Sequence, residues 1–317
     1  MYNSFISVVG VLQADYQLKY LQSYLRSVHS TLKKHFSDFE IILVNNKLAE
    51  SPNRYIEEVE QEIRKDVFLL NLSGITNKSH AILAGLDRAN GDYTLIFELE
   101  LHNQVKYIKQ LFEQTRSGFD IVYLRSERRQ LPARIRFFNK LFYRIMRNYS
   151  SLSVDEGAYD TRIISRRALN SLLRLRENLR YMKAIYSIVG FPTTSILLEQ
   201  SFQEQDKLSF SERFKTSLVA ISSYTSFLRS ILFTTFLGSF IFMLGVVVNA
   251  LLVKFTGYDI FGNPEEAVKG WTFLVILISI FFAVNFFILY IMSIYLTNIY
   301  QEMKQRPLYI IESIKRF

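Results

Sequence analysis

The chain has 317 residues, with 38 Lys+Arg against 29 Asp+Glu for a formal charge of +9, no cysteine and 15% aromatic residues. Without cysteine it can have no disulfide framework, no thiolate-ligated zinc or iron–sulfur site and no thiol nucleophile. A hydrophobic fraction of 49% excludes a disordered chain. Charge is unevenly spread, however: residues 230–253 and 271–301 hold no Asp, Glu, Lys or Arg, whereas the preceding 229 residues are rich in them.

Residues 5–12 (FISVVGVL) predict a buried strand. A helix follows over residues 16–35, its apolar stripe made by Leu18, Leu21, Leu25, Val28 and Leu32. Next come a strand at 40–44 (EIILV), a helix near 53–65, a strand at 67–72 and a helix near 78–89. A strand at 93–98, a helix near 104–116 and a strand at 120–124 complete the series. This alternation predicts an α/β fold with a largely parallel sheet covered on both faces. Ligands on such sheets bind beyond the carboxyl ends of the strands, where the strand order reverses. Four strand exits are therefore of interest: residues 13–15, 45–47, 73–78 and 98–102.

Farther along, Arg128, Arg129, Arg134, Arg136, Lys140, Arg144 and Arg147 interleave with Ile135, Phe137, Phe138, Leu141, Phe142, Ile145 and Met146. That pattern predicts an amphipathic helix suited to an anionic lipid surface. Residues 230–253 form an uncharged run of about 36 Å as a helix, longer than the ~30 Å hydrocarbon core of a bilayer. A second run extends from Trp271 to about Leu296, with Trp271 and Tyr295 at interfacial positions. Two core helices of a soluble protein are the plainer alternative, but such helices rarely lack every charge.

The connector 254–270 sets Lys254 and Lys269 against Asp259, Glu265 and Glu266, whereas the outer flanks carry Arg213, Lys215 and Arg229 and then Lys304, Arg306, Lys315 and Arg316. The positive-inside rule then places both flanks in the cytoplasm, with a short loop outside. The expected organisation is a cytoplasmic α/β domain at 1–212, a juxtamembrane helix at 213–229, two transmembrane helices at 230–301 and a cytoplasmic tail at 302–317.

No G-x-G-x-x-G or G-x-x-x-x-G-K-[ST] motif is present, and the four histidines at 29, 35, 80 and 102 lack metal spacing. The best chemical candidate is Phe97-Glu98-Leu99-Glu100, an acidic pair at a strand end. Side chains at i and i+2 share one side of an extended segment, so two carboxylates there could hold a hard divalent cation. Two solvated glutamates make the same pattern. The basic stretch could also reflect nucleic-acid binding, but no recognisable nucleic-acid module is present.

Residues 72–100 (LSGITNKSHAILAGLDRANGDYTLIFELE) parallel L-S-x-N-x-G-K…A…A-G-L…A-x-G-D…D-A-D, with Lys78, Ala81, Ala84, Gly85, Leu86, Ala89, Gly91 and Asp92 in register. Residues 119–129 (FDIVYLRSERR) parallel D-I-V-x-G-x-R-x-x-R, and residues 161–168 (TRIISRRA) parallel F-R-L-x-S-R-R-A. Residues 299–311 (IYQEMKQRPLYII) follow an E-x-K-x-R-P-x-Y pattern. In their order and spacing these motifs resemble family-2 glycosyltransferases, and more narrowly the membrane-anchored polyprenyl-phosphate sugar transferases related to dolichol-phosphate mannose synthase.

The chain departs from that pattern at Val11, Ala14 and Asp15, at Asn45-Asn46-Lys47-Leu48 in place of D-D-G-S, and at Glu98-Leu99-Glu100 in place of D-x-D. His102 replaces a glutamine, and residues 204–208 (EQDKL) keep Lys207 of a G-x-S-K-Y segment.

The resemblance implies a glycosyltransferase-A (Rossmann-like) domain with a C-terminal two-helix transmembrane anchor. Its activity would be inverting transfer of a sugar from a nucleotide diphosphate to polyprenyl (bacterial undecaprenyl) phosphate, for cell-surface glycans. Glu98 and Glu100 would be metal ligands for Mg2+ or Mn2+, with Glu100, Arg125 and Arg162 at the reacting groups. Asp15, Asn45, Lys78 and Asp92 would line the nucleotide pocket, and Arg128 and Lys207 would hold the acceptor phosphate. Implied too are a bacterial inner-membrane location, multi-pass, with the catalytic domain and C-terminus cytoplasmic, and a homo-oligomer, in some members a tetramer. The altered motifs leave open a catalytically degenerate relative that acts as a scaffold or partner in glycan assembly.

Overall fold

The computed structural model describes residues 1–126, 133–150, 152, 154–175, 182–199, 210–264, 271–303 and 307–317. The chain forms two compact units, one of Met1–Tyr143, Leu152–Arg213 and Gln305–Phe317, the other of Arg144–Ser151 and Phe214–Lys304.

In the first unit, β1 (Tyr2–Leu12), α1 (Leu18–His35), β2 (Phe36–Asn45), α2 (Asn53–Glu57), α3 (Gln61–Arg64) and β3 (Val67–Leu72) follow the expected alternation. So do α4 (Lys78–Arg88), β4 (Tyr93–Ile96), α5 (Lys106–Arg116) and β5 (Ile121–Arg125). The helix expected near 53–65 is interrupted at Glu60, whose backbone is extended. After α6 (Ala133–Tyr149) come β6 (Ala158–Ser165), α7 (Arg166–Arg174), α8 (Met182–Ile188) and β7 (Thr193–Leu197), and β8 (Ile311–Arg316) ends the chain. The eight strands form one mixed sheet in the order β7-β5-β6-β4-β1-β2-β3-β8, with β6 antiparallel to β4 and β5, and β8 antiparallel to β3.

Alternation along β1 divides the core. Ile6, Val8 and Leu12 pack with Leu21, Leu25 and Val28 of α1 and with Tyr107 and Leu111 of α5, while Val9 and Val11 pack with Ala81, Ala84 and Leu86 of α4 on the other face. Each such fully buried aliphatic side chain contributes about 1.5–3 kcal/mol, which is why a strand covered on both faces reads as a continuous apolar run. Tyr24 of α1 donates to the Phe97 carbonyl at 3.0 Å and so ties the helix to the exit of β4. Because β4 returns beside β1 on the side away from β2, the order reverses between β1 and β4.

The C-terminal residues are part of this sheet rather than a separate tail. β8 pairs along β3, the Asn71 side chain donates to Ser313 Oγ at 3.0 Å, and Tyr309 donates to Asp87.

Asp92, expected in the nucleotide pocket, lies instead at the amino end of β4, away from the strand exits. Its carboxylate accepts from Phe5 N at 3.0 Å and its carbonyl from Arg166 N at 2.9 Å. Alongside it, Glu40 Oε1 accepts from Ser7 Oγ at 2.7 Å and Asn90 N at 2.8 Å, and Ser7 Oγ accepts from Gly91 N at 2.8 Å. A Cβ on Gly91 would lie 2.6 Å from Ser7 N and 2.9 Å from Phe5 O, both backbone atoms. The S-R-R-A segment is likewise scaffold: Ser165 caps α7, Arg166 donates to the Ala89 carbonyl at 2.7 Å, and Arg167 forms a two-pronged pair with Asp120 at 2.6 and 2.7 Å. The Arg167 hydrogen bonds, opposed by burial and aided by Ser165, hold the Asp120 carboxyl below the usual carboxylate range.

In the second unit, α9 (Phe210–Tyr224) is followed after a break by α10 (Phe227–Thr256), so residues 213–229 are not one juxtamembrane helix. α10 ends at Gly257, whose φ of 75° is left-handed, and α11 (Trp271–Met303) packs against it. Both helices are long and apolar enough to cross a membrane, with mean hydropathies of 2.4 and 2.1 over an 18-residue stretch within Phe227–Thr256 and within Ile280–Tyr300. Asn298 of α11 donates to Ser222 of α9 at 2.7 Å.

Gly91→Ala should lower stability by about 1–3 kcal/mol, because backbone atoms must move to admit the methyl; a wild-type thermal midpoint would contradict this packing. Arg167→Ala should lower the midpoint at neutral pH. Asp120 has a depressed folded pKa, so the pair stabilises above the unfolded value near ~3.9 and is lost as pH falls through the folded one. The gap between variant and wild type should therefore shrink on acidification to about pH 3, and a pH-independent gap would contradict the pairing.

Candidate active site

The exits of β1 and β4 and the start of α4 meet at the strand-order reversal. Asn77 caps α4 by accepting from His80 N, which fixes Lys78 as the first residue of the helix. Lys78 Nζ lies 2.8 Å from Glu98 Oε1 and 2.8 Å from Asp160 Oδ2. The other Glu98 oxygen accepts from Thr161 Oγ1 at 3.1 Å, and Glu98 N donates back to that hydroxyl at 3.3 Å. This contact follows from register. Ile96 pairs with Arg162, so the two residues that β4 adds beyond Ile96 run past Thr161 and Asp160 of the antiparallel β6.

Burial alone would push the Asp160 carboxyl up. The Lys78 and Lys183 ammonium groups, the hydrogen bond from Lys78 and the Arg162 guanidinium outweigh it and hold Asp160 well below the carboxylate range. Arg162 itself is buried, donating to the Tyr159 carbonyl at 2.7 Å and the Asp160 carbonyl at 3.2 Å, with its guanidinium 3.7 Å from the Tyr186 ring centroid. It braces β6 and contributes positive potential behind Asp160. That placement differs from its expected one among the reacting groups.

Glu98 and Glu100 do not project together from an extended segment. Glu98 is the cap of a 3-10 turn, Leu99–Leu101, and the turn rotates Glu100 away. Glu100 Oε1 accepts from Gln17 Nε2 at 2.7 Å and Tyr16 OH at 3.2 Å. Gln17 Oε1 in turn accepts from Gln13 N at 2.6 Å and Ala14 N at 3.1 Å, which fixes the loop leaving β1.

The asparagine pair holds the loops. Asn46, buried, donates to the Thr76 carbonyl at 2.8 Å and Gln13 Oε1 at 3.3 Å, and accepts from Thr76 N at 2.9 Å and Thr76 Oγ1 at 3.1 Å. Asn45 accepts from Leu48 N at 3.0 Å and donates to Asn71 Oδ1 at 2.9 Å. Next to it a polar cleft of about 290 Å³ is lined by Asn45, Lys47, Asn71, Glu312, Ser313 and Lys315. Gln13 Nε2 is buried and meets no acceptor among the described residues.

Asp15 accepts from Glu50 N at 3.3 Å at the rim of the β1 exit. Arg125, at the end of β5, is 3.7 Å from Asp155 and half exposed. Arg128 and Lys207 lie outside the described residues. The structure thus gathers Lys78 and Glu98, sets Asn45 beside the cleft and Glu100 on a neighbouring turn, and carries Asp92 to the opposite end of the sheet. Residue patterns missed Asp160 and Gln17, and gave Gln13 only as part of a strand exit and Thr161 only as the first residue of a matched segment. The only signal for Asp160 was its position one residue before a matched motif.

These residues do not fit a divalent cation. Both Glu98 oxygens are engaged, by Lys78 and Thr161, and Glu100 is turned toward Tyr16 and Gln17. Among the described residues no three His, Asp or Glu side chains converge as a metal site.

Residues 18–173 match glycosyl transferase family 2. The chain is similar to an uncharacterized glycosyltransferase of Synechocystis, 27% identical over 97% of this chain and 94% of that protein. It is also similar to a bactoprenol glucosyl transferase of Shigella phage SfV, 26% identical over 88% of this chain and 89% of that protein. Among solved structures, a mannosyltransferase from Pyrobaculum calidifontis in complex with GDP-Man and Mn2+ covers 65% of this chain and 59% of its own at 13% identity, with a TM-score of 0.41.

Asn46→Asp restores the acidic residue of the motif but loses the two N–H donors that satisfy the Thr76 carbonyl and Gln13. It should destabilise the protein by about 1–3 kcal/mol, read as a lower thermal midpoint at neutral pH; an unchanged midpoint would show that the loops do not depend on this amide.

Proposed function

We propose a membrane-anchored, inverting transferase of glycosyl transferase family 2 that moves a sugar from a nucleotide diphosphate to polyprenyl phosphate. The observation that carries the proposal is the Lys78–Glu98–Asp160 cluster at the strand-order reversal, where an open α/β sheet takes its ligand. Similarity along 88% of the chain to a bactoprenol glucosyl transferase supports a lipid phosphate as acceptor.

The chemistry asks little of the protein. An acceptor phosphate monoester is largely doubly ionised near neutral pH, its second pKa being about 6, so no general base is needed. Its oxygen attacks the anomeric carbon from the face opposite the diphosphate. The bond from that carbon to the diphosphate oxygen breaks, the nucleoside diphosphate leaves with the electron pair, and the configuration inverts. What the site must supply is cationic stabilisation of the leaving group and alignment of two anions. Lys78 stands at the start of α4, where the helix dipole adds to its charge. Gln13 Nε2 offers a further donor, and the Asn45–Asn71 cleft is the proposed seat of the nucleoside. Asp160 and Glu100 are acceptors for sugar hydroxyl groups. Arg125, Arg128 and Lys207 are assigned to the acceptor phosphate.

Large apolar side chains of α10 and α11, among them Phe233, Phe236, Phe286 and Leu289, are exposed, which favours a lipid environment over a soluble core. With the flanking charges, this supports an inner-membrane hairpin with both flanks cytoplasmic. α6 adds exposed Phe137 and Leu141 beside Arg136, Lys140 and Arg144, the composition of an interfacial helix. A homo-oligomer remains part of the proposal on resemblance alone.

A second reading, a non-catalytic partner in glycan assembly, is favoured by the asparagine pair, whose hydrogen bonds serve the loops. Purified full-length protein should transfer label from one of a panel of nucleotide sugars to undecaprenyl phosphate, and Asp160→Asn should reduce that turnover about tenfold or more. Binding of nucleotide without transfer to any lipid phosphate would select the second reading.

A further inference from the structure

We infer that this protein binds the diphosphate of its donor without a divalent cation, the Lys78 ammonium standing where a carboxylate-held metal would otherwise be. The inference rests on the nucleotide-sugar reading above and specifies how that site meets its ligand's charge.

Two carboxylate oxygens from separate segments, Glu98 Oε1 beyond the end of β4 and Asp160 Oδ2 in β6, converge on one cation, Lys78 Nζ, at 2.8 Å each. Carboxylates arranged around a positive centre are what a hard metal requires, but the spacing is that of an ammonium. Oxygen-to-metal distances are about 2.0–2.1 Å for Mg2+ and 2.3–2.6 Å for Ca2+, so a metal would need both acids to close in and the lysine to leave. The acids are not at liberty to follow. Glu98, with a side chain 6% exposed, is held on its other oxygen and its own N–H by Thr161, and Thr161 is itself fully buried in β6. A divalent ion entering beside the lysine would add like charge to a cluster that already has Lys183 and Arg162 next to Asp160.

The remaining acid offers no second anchor. Glu100 sits on its own turn and is hydrogen bonded by Tyr16 and Gln17. Lys78, by contrast, is suited to meet an anion. Its side chain is 34% exposed, so the charge reaches solvent, and Glu98 and Asp160 help to hold the ammonium in one place. Placement before binding is what makes an ammonium effective against a phosphate, since no side-chain freedom is then lost on contact. The nearby Gln13 Nε2, buried and without an acceptor among the described residues, supplies a neutral donor at the neighbouring exit.

The test uses the full chain in detergent with UDP and GDP as probes, their binding measured by calorimetry in excess EDTA and again with Mg2+ or Mn2+. Affinity for the preferred nucleotide should agree within about twofold across these conditions. Lys78→Met should weaken it by roughly 10–100-fold, the loss of a charge-assisted contact, and Lys78→Arg should recover part of it. Binding that appears only with metal, or tightens tenfold or more with it, overturns the inference and leaves the transferase reading standing. So does an unchanged affinity in Lys78→Met. If neither nucleotide binds under any condition, the inference and the transferase reading fall together, and the non-catalytic reading is left standing. The EDTA comparison is made on the wild-type protein and does not depend on any variant folding.

Discussion

One ammonium held between two carboxylates is the contact around which the strand exits are organised. Lys78 begins α4, Glu98 leaves β4 and Asp160 lies in β6, so a single group joins three elements that are far apart in the chain. The contact exists only because β6 runs antiparallel to β4 and pairs Ile96 with Arg162; a slip of one residue would turn Asp160 to the other face. Removing the lysine would leave two partly buried carboxylates facing one another, and an uncompensated buried charge costs far more than an intact pair gains. The cluster is therefore a constraint on the fold as well as a candidate site, and its charge is set by partners that the sheet fixes in position.

The motif residues divide by their place along the strands. At the amino ends, Gly91, Asp92, Arg166 and Arg167 join β4, α7 and the start of β1, through a glycine that admits Ser7 closely and hydrogen bonds to Phe5 N and the Ala89 carbonyl. At the carboxyl ends, Gln13, Asn46, Thr76, Lys78 and Glu98 form a hydrogen-bonded rim. A motif can thus be matched because the scaffold needs it, and only position along the sheet tells which of its residues can meet a ligand.

Much of the fold was legible in the sequence because burial on both faces forces apolar runs, as in β1 and β2, and a helix over a sheet forces the stripe of Leu18, Leu21, Leu25, Val28 and Leu32. β6 was not legible, since Asp160 and Arg162 interrupt its apolar pattern; nor was β8, whose half-exposed edge position demands little hydrophobicity. For the site, Lys78 and Glu98 could be found from local pattern. Asp160 could not, because its role comes from strand pairing. The same gap explains Glu98 and Glu100: same-side projection holds in a strand, and the chain enters a 3-10 turn at that point. Asp92 differs: the strand expected at 93–98 already sets residue 92 at its amino end, away from the exits, and only the motif drew it toward the nucleotide pocket.

The altered residues bear on whether the site has decayed or has been rebuilt. Piecemeal loss of acidic groups would leave their former partners unsatisfied, because a carboxylate only accepts and an amide both donates and accepts. Around Asn46 the reverse is found: two donors and two acceptors are all in use, so the amide suits its surroundings better than an acid would. Around Glu98 the longer side chain reaches both a lysine and a threonine hydroxyl. The unmatched group nearby is a donor, Gln13 Nε2, beside a polar cleft and a partly exposed ammonium. An unmatched amide donor and a partly exposed ammonium at a strand-order reversal are what the proposed anionic, oxygen-rich ligand would meet, with amides and an ammonium in place of acids and an ion.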